Sequence, residues 1–218
     1  MPDAAQLAAI SPYAQYFSRS LVEVASDLES YAQRLAEWQR VQNLVSRETL
    51  GALWTRHFAD SLQLLTRLDA GDRHILDVGS GGGFPALPLA IASKGLDRRF
   101  TLIEPTSRKV SFLRAIARSC GLSVAVEGRR IEQIDSRETG QVDVITARAL
   151  ASLSQLCSMS EPFFGPQTRA IFHKGREHVE ELREAGAHWQ FDVLLTKSDT
   201  DDSGVLVELR NLRSKTSV

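Results

Sequence analysis

Asp77, Gly79, Gly81 and Gly83 stand at every second position of one short stretch, and Phe84 and Pro85 follow at once. Glycines at that spacing let a backbone turn sharply and approach a ligand, because no Cβ intervenes. The turn lies between Ile75-Leu76-Asp77-Val78, a short buried-strand pattern, and a run rich in Ala, Leu and Ile that reads as a helix. A helix start offers unpaired N–H groups and a partial positive charge to a polar or anionic ligand. The dinucleotide pattern G-x-G-x-x-G fails from Gly79, because its third glycine position is Phe84; from Gly81 it ends on Ala86 and survives only in its looser form. The pattern D-x-G-x-G-x-G, from Asp77 to Gly83, fits better. Pro85 suits the first turn of the helix.

The other residues suited to chemistry stand at the ends of further apolar runs. Glu104 ends Phe100–Ile103, 21 residues after Gly83, where a carboxylate can accept from both hydroxyls of a ribose. Val124–Glu127 leads into Gly128-Arg129-Arg130-Ile131-Glu132, a place where an adenine commonly passes an apolar side chain. Val142–Thr146 leads into Ala147-Arg148-Ala149. Arg148 can hold a cofactor, a substrate or a neighbouring carboxylate, or serve as a structural ion pair.

What is missing narrows the chemistry. The D-x-G-x-G-x-G turn from Asp77 to Gly83 resembles motif I of Rossmann-like S-adenosylmethionine methyltransferases, and for such an enzyme the lack of an Asn/Asp-Pro-Pro-aromatic set after Thr146 argues against methylation of an exocyclic base amine. Cys157 lies between Leu156 and Ser158 without the proline of a cytosine-C5 nucleophile. The five histidines lack metal-ligand spacing, so no metal is expected, and no Ser-His-Asp set can be argued. An acceptor that already carries a free lone pair, such as guanine N7, needs alignment more than a base.

These residues require strands that alternate with helices. The spacing predicts strands at Ile75–Val78, Phe100–Ile103, Val124–Glu127, Val142–Thr146 and Ala170–Phe172, then a hairpin of Phe191–Leu195 and Val205–Leu209. Helices are predicted to about Lys94, over Ser107–Cys120, over Leu150–Met159 and near Glu177–Ala185, with Gly95 and Gly121 as stops. Such β-α alternation implies an α/β fold, a mostly parallel sheet covered on both faces. Residues 1–70 read as an N-terminal helical extension, and residues 71–218 as the main unit packed with it. Leu21, Val24, Leu28, Tyr31, Leu35 and Trp38 form one apolar stripe. Ser46 is placed to cap a second helix, whose buried face is Leu50, Leu53, Trp54, Phe58, Leu62 and Leu65.

At 218 residues, 43% hydrophobic and 24% charged, the chain has the size and composition of one globular domain. No apolar run is long enough to span a membrane. Met1-Pro2-Asp3 lacks the basic start and apolar core of a signal peptide, and both cysteines sit in apolar surroundings, so a cytoplasmic protein is expected. The net charge of −1 argues against nucleic-acid binding over the whole surface but leaves room for a local basic patch.

A family resemblance rests on several blocks in order. Trp38 with Asn43-Leu44, His57-Phe58-Ala59-Asp60-Ser61-Leu62, Asp77 through Pro85 with Leu87-Pro88-Leu89-Ala90, Lys109 through Leu113, Ala147-Arg148-Ala149 and His173-Lys174-Gly175 together resemble the glucose-inhibited division protein B family. That family consists of bacterial methyltransferases acting on guanine N7 in small-subunit ribosomal RNA. The resemblance implies a Rossmann-like methyltransferase fold with a seven-stranded sheet and a terminal β-hairpin. It implies S-adenosylmethionine as cofactor, and 16S ribosomal RNA or the small ribosomal subunit particle as partner, met by a monomer. It carries cofactor contacts to Gly79, with Gly81 in the same turn, and to Phe84, a ribose segment to Glu104, Pro105 and Thr106, an adenine-side pair to Ile131 and Glu132, and a cofactor-site arginine near the reaction centre to Arg148. Gly82, Ala86, Gln39 and Ile131 depart from the family's usual residues. Phe84 is expected to close the pocket with its ring, and Arg129, Arg130, Lys174 and Arg176 to line an RNA entrance. The rival readings are an NAD-dependent oxidoreductase and a non-catalytic nucleotide- or RNA-binding module.

Overall fold

The computed structural model describes residues 2–215. Seven strands form one sheet: β1 His74–Val78, β2 Arg99–Ile103, β3 Val124–Glu127, β4 Val144–Arg148, β5 Arg169–Lys174, β6 Trp189–Lys197 and β7 Val205–Ser214. Their order is β3-β2-β1-β4-β5-β7-β6. The first five run parallel, and β7 pairs antiparallel with both β5 and β6. The order turns back between β1 and β4, and a crevice outside the carboxyl ends of the strands is the ligand position of such a sheet.

Among the described residues, six helices of at least seven residues accompany the sheet: α1 Ala4–Ile10, α2 Leu21–Gln39, α3 Ala86–Ala92, α4 Ser107–Ser119, α5 Leu153–Ser160 and α6 His178–His188. Alternate strand residues feed two apolar clusters. Ile75, Phe100, Leu102, Val144 and Ile171 pack with α2, α3, α4 and residues 53–65. Leu76, Val78, Ile103, Ile145, Ala170 and Phe172 pack with α5 and Ala185 of α6. The helical extension therefore shares a core with one face of the sheet. Val24, Leu28, Tyr31 and Leu35 of its stripe are fully buried, each side chain stabilising by roughly 1.5–3 kcal/mol.

Three expected elements differ in ways that matter for the site. The helix expected from Ser46 through Leu65 is broken. Arg47–Leu50 makes one turn without a side-chain cap from Ser46, Trp54–Ala59 is π-helical, Asp60–Leu62 is α-helical, and Gln63–Arg67 is a 3-10 turn. Trp54, Phe58 and Leu62 recur every four residues, a step that a regular α-helix rotates by about 40° each time. The wider π turn offsets that drift and keeps them toward the core. The fourth strand begins two residues later than expected, because Asp143 uses Oδ2 to accept from the N–H groups of Arg73 and His74 at the start of β1, at 2.8 and 2.9 Å. The strand consequently extends to Arg148, in register with His173 of β5. The helix after it begins at Leu153 rather than Leu150, because Ser152 and Gln155 form a capping box. Residues 149–151 are left as a bend, with Ala149 at φ +51°.

Candidate active site

A cavity of about 1000 Å³ opens at the carboxyl ends of β1, β2, β4 and β5. Its lining includes the glycine turn, Glu104-Pro105-Thr106, Arg148 through Ala151, and residues 43–49 of the helical extension. That volume lies at the upper end of small-molecule sites.

The glycine turn is shaped from both sides. The N–H groups of Gly79 and Ser80 donate to the Ile103 carbonyl at 2.9 and 3.0 Å, tying the turn to β2. Tyr31 of α2 is fully buried and donates through Oη to the Gly82 carbonyl. Gly83 has φ +91°, and a Cβ there would stand 2.5 Å from Leu87 Cδ1 and 2.6 Å from Tyr31 Oη. Gly81 differs: at φ +53° its nearest neighbour to an added Cβ is the Gly79 carbonyl at 3.7 Å, so space remains beside its backbone.

Glu104 is 4% exposed. Its Oε2 accepts from Gly81 N at 3.0 Å and its Oε1 from Thr106 N at 2.9 Å. A carboxylate has about four lone-pair sites, so both oxygens can accept again. Asp77 lies beneath, its Oδ1 accepting from the Thr146 hydroxyl at 2.7 Å and its Oδ2 buried without a partner among the described residues. Burial pushes its carboxyl up to about 7, against the lowering effect of Ser80 and Thr146.

Arg148 reaches across to the helical extension. Its Nη1 donates to Asp60 Oδ2 at 3.0 Å and to the Arg56 carbonyl at 3.1 Å, and its Nη2 donates to His57 Nδ1 at 2.5 Å. The guanidinium lies 4.8 Å from the centroid of the Phe84 ring. Nε–H and one Nη2–H have no protein partner among the described residues. Because His57 Nδ1 accepts, its Nε2 is the donor to Thr49 Oγ1 at 2.8 Å. Burial and then the Arg148 charge push this imidazole down to about 4, so it is neutral at pH 7. His173 donates from Nε2 to the Asp60 carbonyl at 2.8 Å, and its Nδ1 is buried without a partner among the described residues. Burial, aided by Arg148, lowers its pKa against the opposing pull of Asp60. Asp60 also accepts at Oδ1 from Thr200 and Gln63. Burial raises its carboxyl, but His173, Arg148 and Thr200 outweigh that, and the net shift is downward.

Of the residues expected at the site, Gly79, Gly81, Phe84, Glu104, Pro105, Thr106 and Arg148 border this one cavity. Ile131 and Glu132 stand outside its lining. Ile131 is buried in the apolar cluster that holds Val78 and Ile103, the last residues of β1 and β2, while Glu132 is exposed. Phe84 is less a lid than a floor. Its ring is 4% exposed, stacks on Tyr31 at 5.4 Å between centroids, and carries Arg148 above it. Of the expected RNA entrance, Lys174 borders the cavity but is ion-paired with Glu181, and Arg129 is held by Glu127 and Glu138 away from it. Among the described residues no His/Cys/Asp/Glu group is arranged to hold a metal.

Asn43-Leu44, His57, Asp60 and His173 enter the blocks of the family resemblance and Ser46 enters as a helix cap, but none of them carries an expected role at the site. The available signal was two polar side chains, His57 and Asp60, interleaved with the core positions Phe58 and Leu62.

The chain is similar in sequence and fold to known proteins. A family model described as GidB, rRNA small subunit methyltransferase G, matches residues 24–201. Ribosomal RNA small subunit methyltransferase G of Methylobacterium nodulans is 43% identical over 192 residues, covering 87% of this chain and 90% of that protein. The protein of the same description from Bartonella henselae is 37% identical over 193 residues, covering 88% and 89%. The fold matches solved structures of a putative O-methyltransferase from Klebsiella pneumoniae (TM-score 0.57, 13% identity, 85% of this chain and 90% of that one) and a methyltransferase from Geobacter sulfurreducens (TM-score 0.56, 18% identity, 83% and 88%). With the matched family model covering most of its length, and relatives this similar over nearly all of theirs, the chain belongs to the GidB family of rRNA small subunit methyltransferases G.

Proposed function

We propose that the cavity binds S-adenosylmethionine along Gly79, Gly81, Phe84 and the Glu104-Pro105-Thr106 segment, and that the protein methylates N7 of a guanine in 16S ribosomal RNA, in the cytoplasm and as a monomer. The observation that carries this reading is convergence: the glycine turn, Glu104 and Arg148 come from three different strand ends and border one cavity. The residues fit an adenosyl ligand, since Glu104 keeps lone pairs for a diol and Gly81 leaves room beside its backbone. When bound, S-adenosylmethionine supplies a methyl group on a positively charged sulfur.

Glu104 holds the ribose, and its bond from Gly81 N ties that grip to the turn. Arg148 is paired with Asp60, so the pair brings little net charge, and a sulfonium can sit nearby without the repulsion of a bare guanidinium. Its two remaining N–H groups can orient a carboxylate or a base oxygen. Guanine N7 attacks with its own lone pair, so the chain needs alignment more than a proton acceptor. His57 suits that chemistry, because both of its ring nitrogens are engaged. Ile131 and Glu132 serve the adenine edge in this reading, Ile131 through the cluster it shares with Val78 and Ile103.

Calorimetry with S-adenosylmethionine and with NAD tests the cofactor, and transfer of a labelled methyl group to 16S rRNA tests the reaction. Binding of S-adenosylmethionine alone and a single 7-methylguanine are expected. Preference for NAD, or cofactor binding with no transfer to naked rRNA or to the particle, overturns the reading.

A further inference from the structure

Arginines on much of this surface are already neutralised. Arg137 is bound by Asp135, Arg183 by Glu180, and Arg129 by Glu127 and Glu138. Such cations make poor phosphate ligands, since each must first release a carboxylate. Helix α4 is different. Ser107–Ser119 holds Arg108, Lys109, Arg114 and Arg118 and no acidic residue. None of the four is in an ion pair among the described residues. Arg114 makes one hydrogen bond, to the Val126 carbonyl, and keeps its charge.

Their placement follows the helix period. Arg114 and Arg118 are exposed one turn apart on the arc opposite Phe112, Leu113 and Ile116, and Arg108, exposed in the first turn, flanks that arc on the side of Phe112. From Arg108 to Arg118 the helix rises about 15 Å, roughly the length of four stacked nucleotides at about 3.4 Å each. Lys109 falls on the apolar arc, but in the first turn, where that arc meets the cavity, and it lines the cavity beside Thr106. A second cation at that mouth, Arg47 of the helical extension, also has no ion pair among the described residues. The cations of α4 thus extend from open surface at Arg118 to the cavity at Lys109. With a net charge of −1, attraction to RNA must come from such a local row rather than from the whole molecule.

We infer that the exposed face of α4 is the docking surface for the substrate RNA backbone, with Arg108, Arg114 and Arg118 on phosphates spread over about four nucleotides and Lys109 and Arg47 receiving the strand at the cavity mouth. The inference rests on RNA being the substrate and adds where the strand lies. Sequence-independent phosphate contacts of this kind set the salt dependence of binding, at about 0.7–0.9 in slope of log K against log salt for each contact.

The test uses the full chain with Arg108→Gln, Arg114→Gln and Arg118→Gln combined. Its control, Arg137→Gln, Arg183→Gln and Lys197→Gln combined, removes the same charge from ion-paired positions. Affinity for a 16S rRNA transcript is measured across salt concentrations, S-adenosylmethionine binding serves as the folding check, and KM and kcat for methyl transfer are read separately. The α4 variant is expected to bind RNA roughly tenfold more weakly at low salt, with a slope reduced by about 2. Its KM for RNA should rise while kcat at saturating RNA holds, and the control should stay within about twofold of wild type. Equal loss in both variants, or wild-type affinity and slope in the α4 variant, overturns the docking surface and leaves the methyltransferase reading standing. A wild-type chain that binds S-adenosylmethionine but neither binds nor methylates rRNA overturns both.

Discussion

Two arginines at strand ends make ion pairs, Arg169 a buried one and Arg148 a half-buried one at the rim of the cavity. Arg169 opens β5 and is 5% exposed. It holds Asp72 at 2.5 Å, Asp69 at 3.2 Å, Glu208 at 3.6 Å and the Arg67 carbonyl at 2.8 Å. Arg67 and Arg210 complete the coordination of Glu208. Arg148 closes β4 at the opposite end of the sheet. It has one carboxylate partner and N–H groups to spare, and beside it lie unpartnered atoms of His173 and Asp77. The first cluster is closed around three carboxylates, and the second is left incomplete at the rim of a cavity. Burial and ion pairing alone do not mark a functional arginine; what marks Arg148 is hydrogen-bonding capacity that the fold leaves unused.

The comparison can be broken by exchanging the effects. Arg148→Ala is expected to lower methyl transfer on the order of 100-fold or more while the chain stays folded. Arg169→Ala leaves three carboxylates short of a partner and should cost about 3–5 kcal/mol, a fall on the order of 10 °C in Tm, with activity per folded molecule near wild type. Steady-state kinetics beside thermal melts separate the two. If both variants lose stability alike and neither loses specific activity, the distinction between the clusters fails.

Asp60→Asn removes the charge opposite Arg148 but keeps an oxygen for Thr200. A loss of roughly tenfold or more in kcat/KM is expected, the scale of a charge-assisted hydrogen bond. Glu104→Gln should weaken S-adenosylmethionine binding by a similar factor, read by calorimetry, because an amide offers fewer acceptors to the diol and to Gly81 N. An unchanged dissociation constant would remove Glu104 from the site.

The smallest effect concerns pH. His57 is held near 4 in the folded state, against 6.5 for an ordinary imidazole. Between these values the unfolded chain takes up a proton that the native one refuses, so this term is fully present above about 6.5 and is lost as pH falls toward 4. Urea melts of wild type and His57→Gln across that range should differ by a slope that disappears above neutrality. Parallel curves would mean that His57 is not held buried beside Arg148 in solution.

Much of the sheet was legible because strand ends carry local signals. Glu104 follows an apolar run directly, and the glycines at 79, 81 and 83 announce their positive φ by type. The Arg148 cluster was not legible, because Asp60 and Arg148 lie 88 residues apart and meet only when the helical extension packs on the sheet. The π turn at Trp54–Ala59 that presents His57 has no simple periodic mark. The expected basic entrance at Arg129 failed for a more local reason: Glu127, two residues away, folds back onto it, as the strand-to-loop turn allows. Charge counted along a sequence does not say which charges are spent on each other.

The central claim is that the cavity joining the glycine turn, Glu104 and Arg148 is where a methyl group passes to small-subunit rRNA. The most direct measurement is transfer of a labelled methyl group from S-adenosylmethionine to 16S rRNA, with the modified base mapped, by wild type and by Arg148→Ala. The account predicts one 7-methylguanine with wild type and its near-complete loss in the variant. Transfer that is undiminished in Arg148→Ala, or a label on a different base atom, would contradict it.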